Sequence, residues 1–186
     1  NGVREPVNGQ ISTSANKVEP GNTDLTDALL GITGFGEYVA GTPYRETLIN
    51  WASGLDALSE YGAGNTYSDA RPQMGDPLHA EPALVQYGED VSNNPDLVAY
   101  VATNDGYLHA FDVDTGVEEF SFIPKELLSD LSTAMENNGG KKLYGLDGNV
   151  VAWINDADGD GTISGTDEHV YLYVGMRRGG RDIYAL

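Results

Sequence analysis

The sequence predicts a mainly β fold, built from partial, modified β-propeller blades with a few short helices and one Asp-rich loop inserted between strands. Three observations support this prediction. The 186-residue chain contains 24 glycines and 11 tyrosines, a composition typical of turns and strands. Short apolar segments separated by tight turns fill residues 81–124, which is the pattern of one four-stranded blade. A similar pattern restarts near residue 149, which indicates a second copy of the same unit.

Residues 1–73 are expected to form an irregular lead-in segment with two short helices. The segment is rich in Gly, Asn, Ser and Thr and shows little strand-like alternation. The first candidate helix covers residues 23–30, with possible caps at its start. The second covers residues 43–55, where apolar side chains recur at helical spacing and Gly54 stands near the end. Nothing in this segment indicates catalysis.

Residues 74–186 are expected to start a β-propeller domain with one full blade, a helix, and part of a second blade. The first blade has predicted strands at 83–87, 97–102, 107–112 and 118–122, and the second at 149–154, 169–174 and 181–186. Asp105-Gly106 lies between the second and third strands and is a strong hairpin signal. A helix is predicted at 124–136, with Pro124 as its first residue.

One blade cannot close a propeller ring, so we expect the remainder of a longer parent chain to complete it. Asn1 is not an initiator methionine, and residues 183–186 resemble an interrupted strand. Both features indicate an internal piece of a longer protein.

The charge of the chain excludes several classes of partner. It carries 29 acidic and 10 basic residues, for a net charge of −19. This charge repels nucleic acid and anionic lipid and favours the binding of cations. There is no cysteine, so thiol catalysis and cysteine-ligated metals are excluded. No segment approaches the roughly 18 apolar residues of a membrane-spanning helix.

An Asp-rich loop at residues 156–167 is the strongest chemical signal. Asp156, Asp158 and Asp160 occupy positions 1, 3 and 5 of an EF-hand-like loop. Gly161 at position 6 permits the sharp turn, and the carbonyl of Thr162 can supply position 7. Oxygen donors without histidine or thiol favour Ca²⁺, and Mg²⁺ fits less well because it dehydrates reluctantly. The alternative interpretation is an acidic, solvated turn.

The end of this loop departs from the EF-hand pattern. Ile163 at position 8 is the usual apolar anchor, and Ser164 at position 9 can bind directly or through water. Position 12 is Asp167 where an EF-hand has Glu, and Glu168 stands one step beyond. The sequence therefore leaves the closing ligand open between Asp167 and Ser164. The flanking segments alternate as strands, which argues against the helices of a true EF-hand.

Other polar residues point to no catalytic centre. Residues 176–181 form a basic cluster that either neutralises nearby acids or binds a partner or a carboxylate. His79, His109 and His169 lack metal-ligand spacing, and His109, within a predicted strand, is expected to be a hydrogen-bonded propeller residue rather than a catalyst. No Ser-His-Asp order or phosphate loop is present, so we expect a protein that is not an enzyme.

Three segments resemble the PilY-type (also called PilC-type) type IV pilus biogenesis factors and tip adhesins. Residues 74–82 (MGDPLHAEP) are similar to the family's GDPLHSxP motif. Residues 102–112 (ATNDGYLHAFD) resemble NDGMLHAFD, and residues 175–186 (GMRRGGRDIYAL) resemble GxxxGGRxxYALD. The order and spacing of the motifs match across residues 74–186.

This resemblance implies a modified β-propeller at the pilus tip or outer membrane of a Gram-negative bacterium. It implies calcium-dependent control of pilus extension and retraction, hence of twitching motility, and adhesion to host or abiotic surfaces. Minor pilins of the tip would be its partners. The family's calcium loop has nine residues, with ligands at positions 1, 3, 5, 7 and 9. Asp156, Asp158, Asp160 and Thr162 fit it, but position 9 is Ser164 rather than Asp.

Two alternatives remain open from the sequence. The phrase FDxxTGxxxF at residues 111–120 also resembles quinoprotein dehydrogenases, propeller enzymes that bind pyrroloquinoline quinone and calcium. Those enzymes need a catalytic Asp and a cofactor-stacking Trp, neither of which can be placed in this chain. The second alternative is a structural calcium loop in an adhesin scaffold, without a regulatory role.

Overall fold

The computed structural model describes residues 3–7, 17–39, 41–60, 69–90, 92–137, 140 and 142–186. Strands account for 31% of the chain and helices for 13%, so the predicted mainly β class is confirmed. The strands are β1 (Val3–Val7), β2 (Glu37–Val39), β3 (Thr42–Pro43), β4 (Ala83–Glu89), β5 (Pro95–Ala102), β6 (Leu108–Asp112), β7 (Glu118–Pro124), β8 (Val150–Asn155), β9 (His169–Gly175) and β10 (Ile183–Ala185). The helices are α1 (Tyr44–Ala52), a 3-10 helix (Lys125–Asp130) and α2 (Leu131–Glu136).

The described chain divides into two compact units. The first unit contains Gly75–Ser121 and Tyr144–Leu186, and the second contains Val3–Met74 and Phe122–Leu143. The predicted domain boundary between residues 73 and 74 stays a prediction. The closed propeller stays a prediction as well.

Strands β4, β5, β6 and β7 of the first sheet occur where the sequence predicts them. Within the first unit the sheet order is β7-β6-β5-β4, and β4, β5 and β6 are antiparallel neighbours. The Asp-Gly hairpin is confirmed, because Thr103 N–H donates to Tyr107 O at 2.8 Å around the turn. Gly106 has φ 99°, a left-handed conformation that glycine adopts without steric cost. The period-2 pattern of the sequence therefore specified these strands and their connection.

The second sheet of the first unit has the order β10-β9-β8 and is antiparallel throughout. Val150, Leu172 and Val174 are buried on one face, and β8 contacts β4 and β5. The predicted strand at 181–186 is shorter, at Ile183–Ala185. The carbonyl of Asp182 accepts the N–H of Met176 at 3.0 Å, so residue 182 belongs to the turn between β9 and β10.

The second unit contains the helices, and one predicted helix is wrong. Residues 23–30 form turns instead, because local side chains bond the backbone in place of a helical ladder. The side chain of Asn22 accepts the N–H of Asp24 at 2.9 Å, and that of Thr26 accepts the N–H of Leu29 at 3.2 Å. Gly31, with φ 69°, follows directly after the segment.

The other two predicted helices form with shifted limits. Helix α1 is shorter than predicted, and Pro43 caps it rather than starting it. The predicted helix at 124–136 begins as a 3-10 helix and becomes α-helical only at Leu131, with Pro124 outside it. Tyr44 on α1 donates a hydrogen bond to Glu136 Oε1 at 2.7 Å. Burial first, and then this bond, raise the pKa of Tyr44 above the ordinary tyrosine value. In the part of the chain that the structure describes, no helix has the length and apolar character to cross a membrane.

Candidate metal centre

The Asp-rich loop connects β8 to β9 in the first unit. Asn155 and His169 are the last paired residues of the two strands. Asp156 and Glu168 therefore leave the sheet at the same end, from two neighbouring strands whose backbones lie about 5 Å apart. The side chain of Asn155 donates a hydrogen bond to the carbonyl oxygen of Asp167 at 2.6 Å, which closes the base of the loop.

Three carboxylates converge inside this loop. Asp156, Asp158 and Glu168 each offer one oxygen, and these oxygens all lie within 4.8 Å of one another. Two oxygens that bind the same Ca²⁺ at its usual distance are at most about 5 Å apart. The three oxygens therefore fit around one ion. Because the donors are all oxygen, the cluster suits a hard divalent cation.

The backbone of the loop curls around Asp156. Its carboxylate accepts the N–H of Gly159 at 2.8 Å and the N–H of Gly161 at 2.9 Å. The two glycines have φ 74° and 83°, which side-chain-bearing residues rarely adopt. The sharp turn that the sequence predicts at Gly161 is therefore present, and it points backbone donors at the first ligand position.

Glu168 is the residue that the sequence interpretation did not assign as a ligand. One of its oxygens accepts the N–H of Ser164 at 2.9 Å and of Gly165 at 2.7 Å. The other accepts the N–H of Ala157 at 3.2 Å. The bonds from Gly165 and Ser164 are the main reason why the pKa of Glu168 is lowered from its ordinary value. The side chain is thus held ionised over the start of the loop.

The remaining predicted ligands make hydrogen bonds within the loop. The carboxylate of Asp160 accepts the N–H of Thr162 at 2.7 Å. The N–H of Ser164 donates to the carboxylate of Glu168, and the carbonyl oxygen of Asp167 accepts a hydrogen bond from the side chain of Asn155. Among the described acids, Asp156 and Asp158 are brought together with Glu168. Ligation by Asp160, by the carbonyl of Thr162, by Ser164 and by Asp167 stays a prediction.

The loop is attached to the first sheet. The N–H of Ile163 donates to the carbonyl oxygen of Tyr87, the fifth residue of β4, at 2.9 Å. Next to it, a Cβ on Gly88 would lie 3.1 Å from the side-chain methyl of Thr162. The far side of the loop therefore lies directly against β4. Ile163 anchors the loop through its main chain.

The segments that resemble pilus factors meet in the first unit. Asp76 N–H donates to Asn104 Oδ1 at 2.7 Å, and Asn104 N–H donates back to Asp76 O at 3.0 Å. A Cβ on Gly145 would lie 2.5 Å from Gly106 N. A Cβ on Gly179 would collide with the carbonyl oxygen of Gly145. The three motifs thus mark one backbone junction in which the glycines permit close approach.

The histidines in these motifs have structural partners. His79 Nδ1 lies 2.7 Å from Asp147 Oδ1, and the Asp147 side chain is fully buried. His109 Nδ1 lies 2.6 Å from Glu118 Oε1, so the expected hydrogen bond of this strand residue is present, and its place in a propeller stays a prediction. Local spacing contains no signal for the His79–Asp147 pair, because the two residues are 68 positions apart.

No family model matches the chain, and no solved structure matches it. Over 89 residues, it is 39% identical to the type IV pilus biogenesis factor PilY1 of Pseudomonas aeruginosa; the aligned segment covers 47% of this chain and 7% of that protein. Over 89 residues, it is 38% identical to a PilY1 homolog of Xylella fastidiosa; the aligned segment covers 48% of this chain and 7% of that relative. The chain therefore matches only a small part of the length of these relatives. The resemblance is confirmed at this level: over about 47% of its length, the chain is homologous to type IV pilus biogenesis factors named PilY1.

Proposed function

We propose that the chain is a calcium-binding segment of a type IV pilus biogenesis factor at the cell surface or pilus tip of a Gram-negative bacterium. In that protein it acts in calcium-dependent pilus extension and retraction and in adhesion, as a binding module rather than an enzyme. The observation that supports this proposal best is the convergence of Asp156, Asp158 and Glu168 in a chain homologous to PilY1.

The chemistry of the loop favours calcium as the ion. Three carboxylates within 4.8 Å of one another repel when no cation is bound, and a divalent ion converts this repulsion into attraction. Calcium accepts six to eight oxygen ligands in flexible geometry, so carbonyl groups and water can complete the shell. Magnesium demands near-ideal octahedral geometry, which an exposed loop of this kind does not supply as readily.

Calcium occupancy would act on the surrounding sheets through the attachments of the loop. The ion would join the two ends of the loop, at Asp156 and Glu168, and thereby fix the ends of β8 and β9. The bond from Ile163 to Tyr87 then connects the same loop to β4. Metal binding would therefore stabilise both sheets of the first unit and present a different surface in the bound and free states. Minor pilins, a host or abiotic surface, and the rest of the longer protein are the proposed partners of that surface.

Calcium titration calorimetry tests the site. The parent chain is expected to bind Ca²⁺ saturably, and Asp156→Asn with Asp158→Asn to weaken binding by at least about tenfold, because each removed carboxylate is a ligand. Asp24→Asn with Asp114→Asn removes the same charge from exposed positions outside the loop and is the matched control. Absence of binding by the parent, or equal weakening by both double variants, contradicts the proposal.

The pilus role needs the full-length protein. The loop double variant is expected to change pilus number and twitching motility, whereas the control double variant leaves both unchanged. If the loop variant lost calcium binding but kept normal pili and motility, the pilus role of the site would be wrong while the calcium site itself would stand.

A further inference from the structure

The connection between β9 and β10 carries the basic cluster that the sequence singles out. We define the arginine turn as Arg177, Arg178 and Arg181, which account for three of the ten basic residues of the chain. All three side chains are exposed. The turn lies at the end of the sheet opposite the Asp-rich loop, because β9 runs from His169 near that loop to Gly175 before the turn.

The backbone of the arginine turn is tightly held. Met176 O accepts the N–H of Gly179 at 2.8 Å, and Met176 N–H donates to Asp182 O at 3.0 Å. Gly179 lies directly against the carbonyl of Gly145, where no side chain fits. Arg177 has φ 48°, a left-handed conformation that costs free energy for a residue with a side chain. The arginines therefore project from a fixed backbone, which lowers the entropy lost when they bind a partner.

The arginines have no acidic partners in the described part of the chain. The ion pairs described there, His79–Asp147 and His109–Glu118, do not include any of the three arginines, although the chain has 29 acidic residues. Arg178 lies 5.6 Å from the ring centroid of Tyr144, a cation–π contact that leaves its charge uncompensated. Of the two roles that the sequence suggests, the lack of a close acidic partner favours binding a partner or a carboxylate, and neutralising nearby acids stays a prediction.

An exposed apolar surface adjoins the arginine turn. Val151 pairs with Tyr173, and Trp153 pairs with Tyr171, so these side chains share one face of the sheet. Ile183 pairs with Gly175, which places it on the same face. We call these five residues the aromatic face, and they are between 41% and 75% exposed. Contiguous apolar surface with Trp, Tyr and neighbouring Arg is the composition of protein-binding sites.

We propose that the arginine turn and the aromatic face together form a docking surface for an extended, acidic segment of a partner protein. The carboxylates of that segment pair with the guanidinium groups, which match carboxylates in charge and geometry. Its apolar side chains cover Ile183, Tyr173 and Val151, the members of the face nearest the turn. The acidic loop at the other end of the sheet repels the same carboxylates, so the charges also hold the acidic residues of the segment at the arginine end. This surface is separate from the metal centre.

Peptide binding to the intact chain tests the proposal by fluorescence anisotropy in calcium-containing buffer. The probe is a short labelled peptide that alternates Val and Glu. Two control peptides replace either every Glu by Lys or every Val by Ser. The Val-Glu peptide is expected to bind more tightly than both controls, with an affinity that falls as salt rises. Absence of binding, or equal affinity for the Lys peptide, overturns the proposal, and equal affinity for the Ser-Glu peptide overturns the role of the aromatic face.

Matched variants locate the binding surface. Arg177→Gln with Arg178→Gln is expected to weaken the Val-Glu peptide about tenfold. Lys17→Gln with Lys125→Gln removes the same charge from the second unit and should leave the affinity unchanged. If both double variants lost the same affinity for the peptide, the effect would be due to net charge alone, and the proposal would be overturned. Sedimentation of the chain alone gives its mass, and a dimer abolished by the arginine substitutions would assign the surface to a second copy and overturn the acidic-segment assignment.

Discussion

The main-chain N–H of Ile163 donates a hydrogen bond to the carbonyl oxygen of Tyr87, 2.9 Å away. This bond joins the Asp-rich loop to β4, a strand of the other sheet of the first unit. A loop that only connected β8 to β9 could change its conformation without affecting that sheet. Because of this bond, the order of the loop and the stability of β4 are expected to depend on each other.

Calcium is therefore expected to stabilise the first unit against unfolding. A ligand at a hundredfold excess over its dissociation constant adds about 2.7 kcal/mol to the free energy of unfolding. Thermal unfolding in calcium and in chelator measures this difference. Ile163→Pro removes the N–H that bonds Tyr87 while leaving the carboxylates in place. In this variant, hydrogen exchange of the β4 amides should no longer slow when calcium is added. If calcium slowed exchange in β4 as much as in the parent chain, the dependence of β4 on the loop would be contradicted.

The part-buried hydroxyl pair of the first sheet predicts a pH dependence of stability. The hydroxyl oxygens of Tyr87 and Tyr100 lie 2.6 Å apart and share a hydrogen bond. Burial first, and then this bond, raise the pKa of Tyr100 above the ordinary tyrosine value. The folded state thus keeps a proton that the unfolded state releases above about pH 10. The resulting stability is present below that pH and is lost as pH rises further.

Tyr100→Phe tests this dependence. The substitution is expected to lower the free energy of unfolding by about 1 kcal/mol at pH 8, the value of a typical buried hydrogen bond. The deficit relative to the parent chain should shrink above about pH 10, because Phe does not titrate. Urea unfolding from pH 8 to 11 gives both quantities, with the exposed Tyr173→Phe as control. A deficit that is constant or larger at high pH would be inconsistent with a raised pKa.

The glycine junction predicts a position where the smallest side chain is not tolerated. Gly179→Ala places a Cβ against the carbonyl oxygen of Gly145, so the backbone of one segment must move. Overpacking of this kind costs about 1–3 kcal/mol of unfolding free energy. Gly21→Ala, where nothing lies within 4 Å of the new carbon, is the control and should be close to neutral. Equal stability of the two variants would refute the close approach.

Much of the fold could be predicted because strand signals are local. Alternating apolar residues and the Asp105-Gly106 pair specify β4, β5 and β6 without any long-range information. The helix expected at residues 23–30 was wrong because of local hydrogen bonds from side chains to the backbone. There, the polar side chains of Asn22 and Thr26 bond the backbone and compete with helical hydrogen bonds, which apolar periodicity does not record.

The candidate site could be predicted only in part. Asp156 and Asp158 follow from the spacing of an EF-hand-like loop, in which these acids occupy fixed positions. Glu168 stands one position beyond the end of that pattern, and it joins them because the longer side chain reaches back to the N–H groups of Ser164 and Gly165. The His79–Asp147 pair depends on the packing of segments 68 residues apart, so local spacing contains no signal for it.

The identity of the ligand that closes the loop distinguishes most directly between the site in the structure, which uses Glu168, and the EF-hand-like pattern, which uses Asp167. Calorimetric calcium titration of Glu168→Gln and Asp167→Asn compares two neighbouring acids, each with one charged oxygen replaced by an amide nitrogen. If Asp156, Asp158 and Glu168 hold the ion, Glu168→Gln weakens calcium binding by at least about tenfold and Asp167→Asn leaves it within about twofold of the parent chain. Unchanged binding in Glu168→Gln together with loss in Asp167→Asn would contradict the three-carboxylate site.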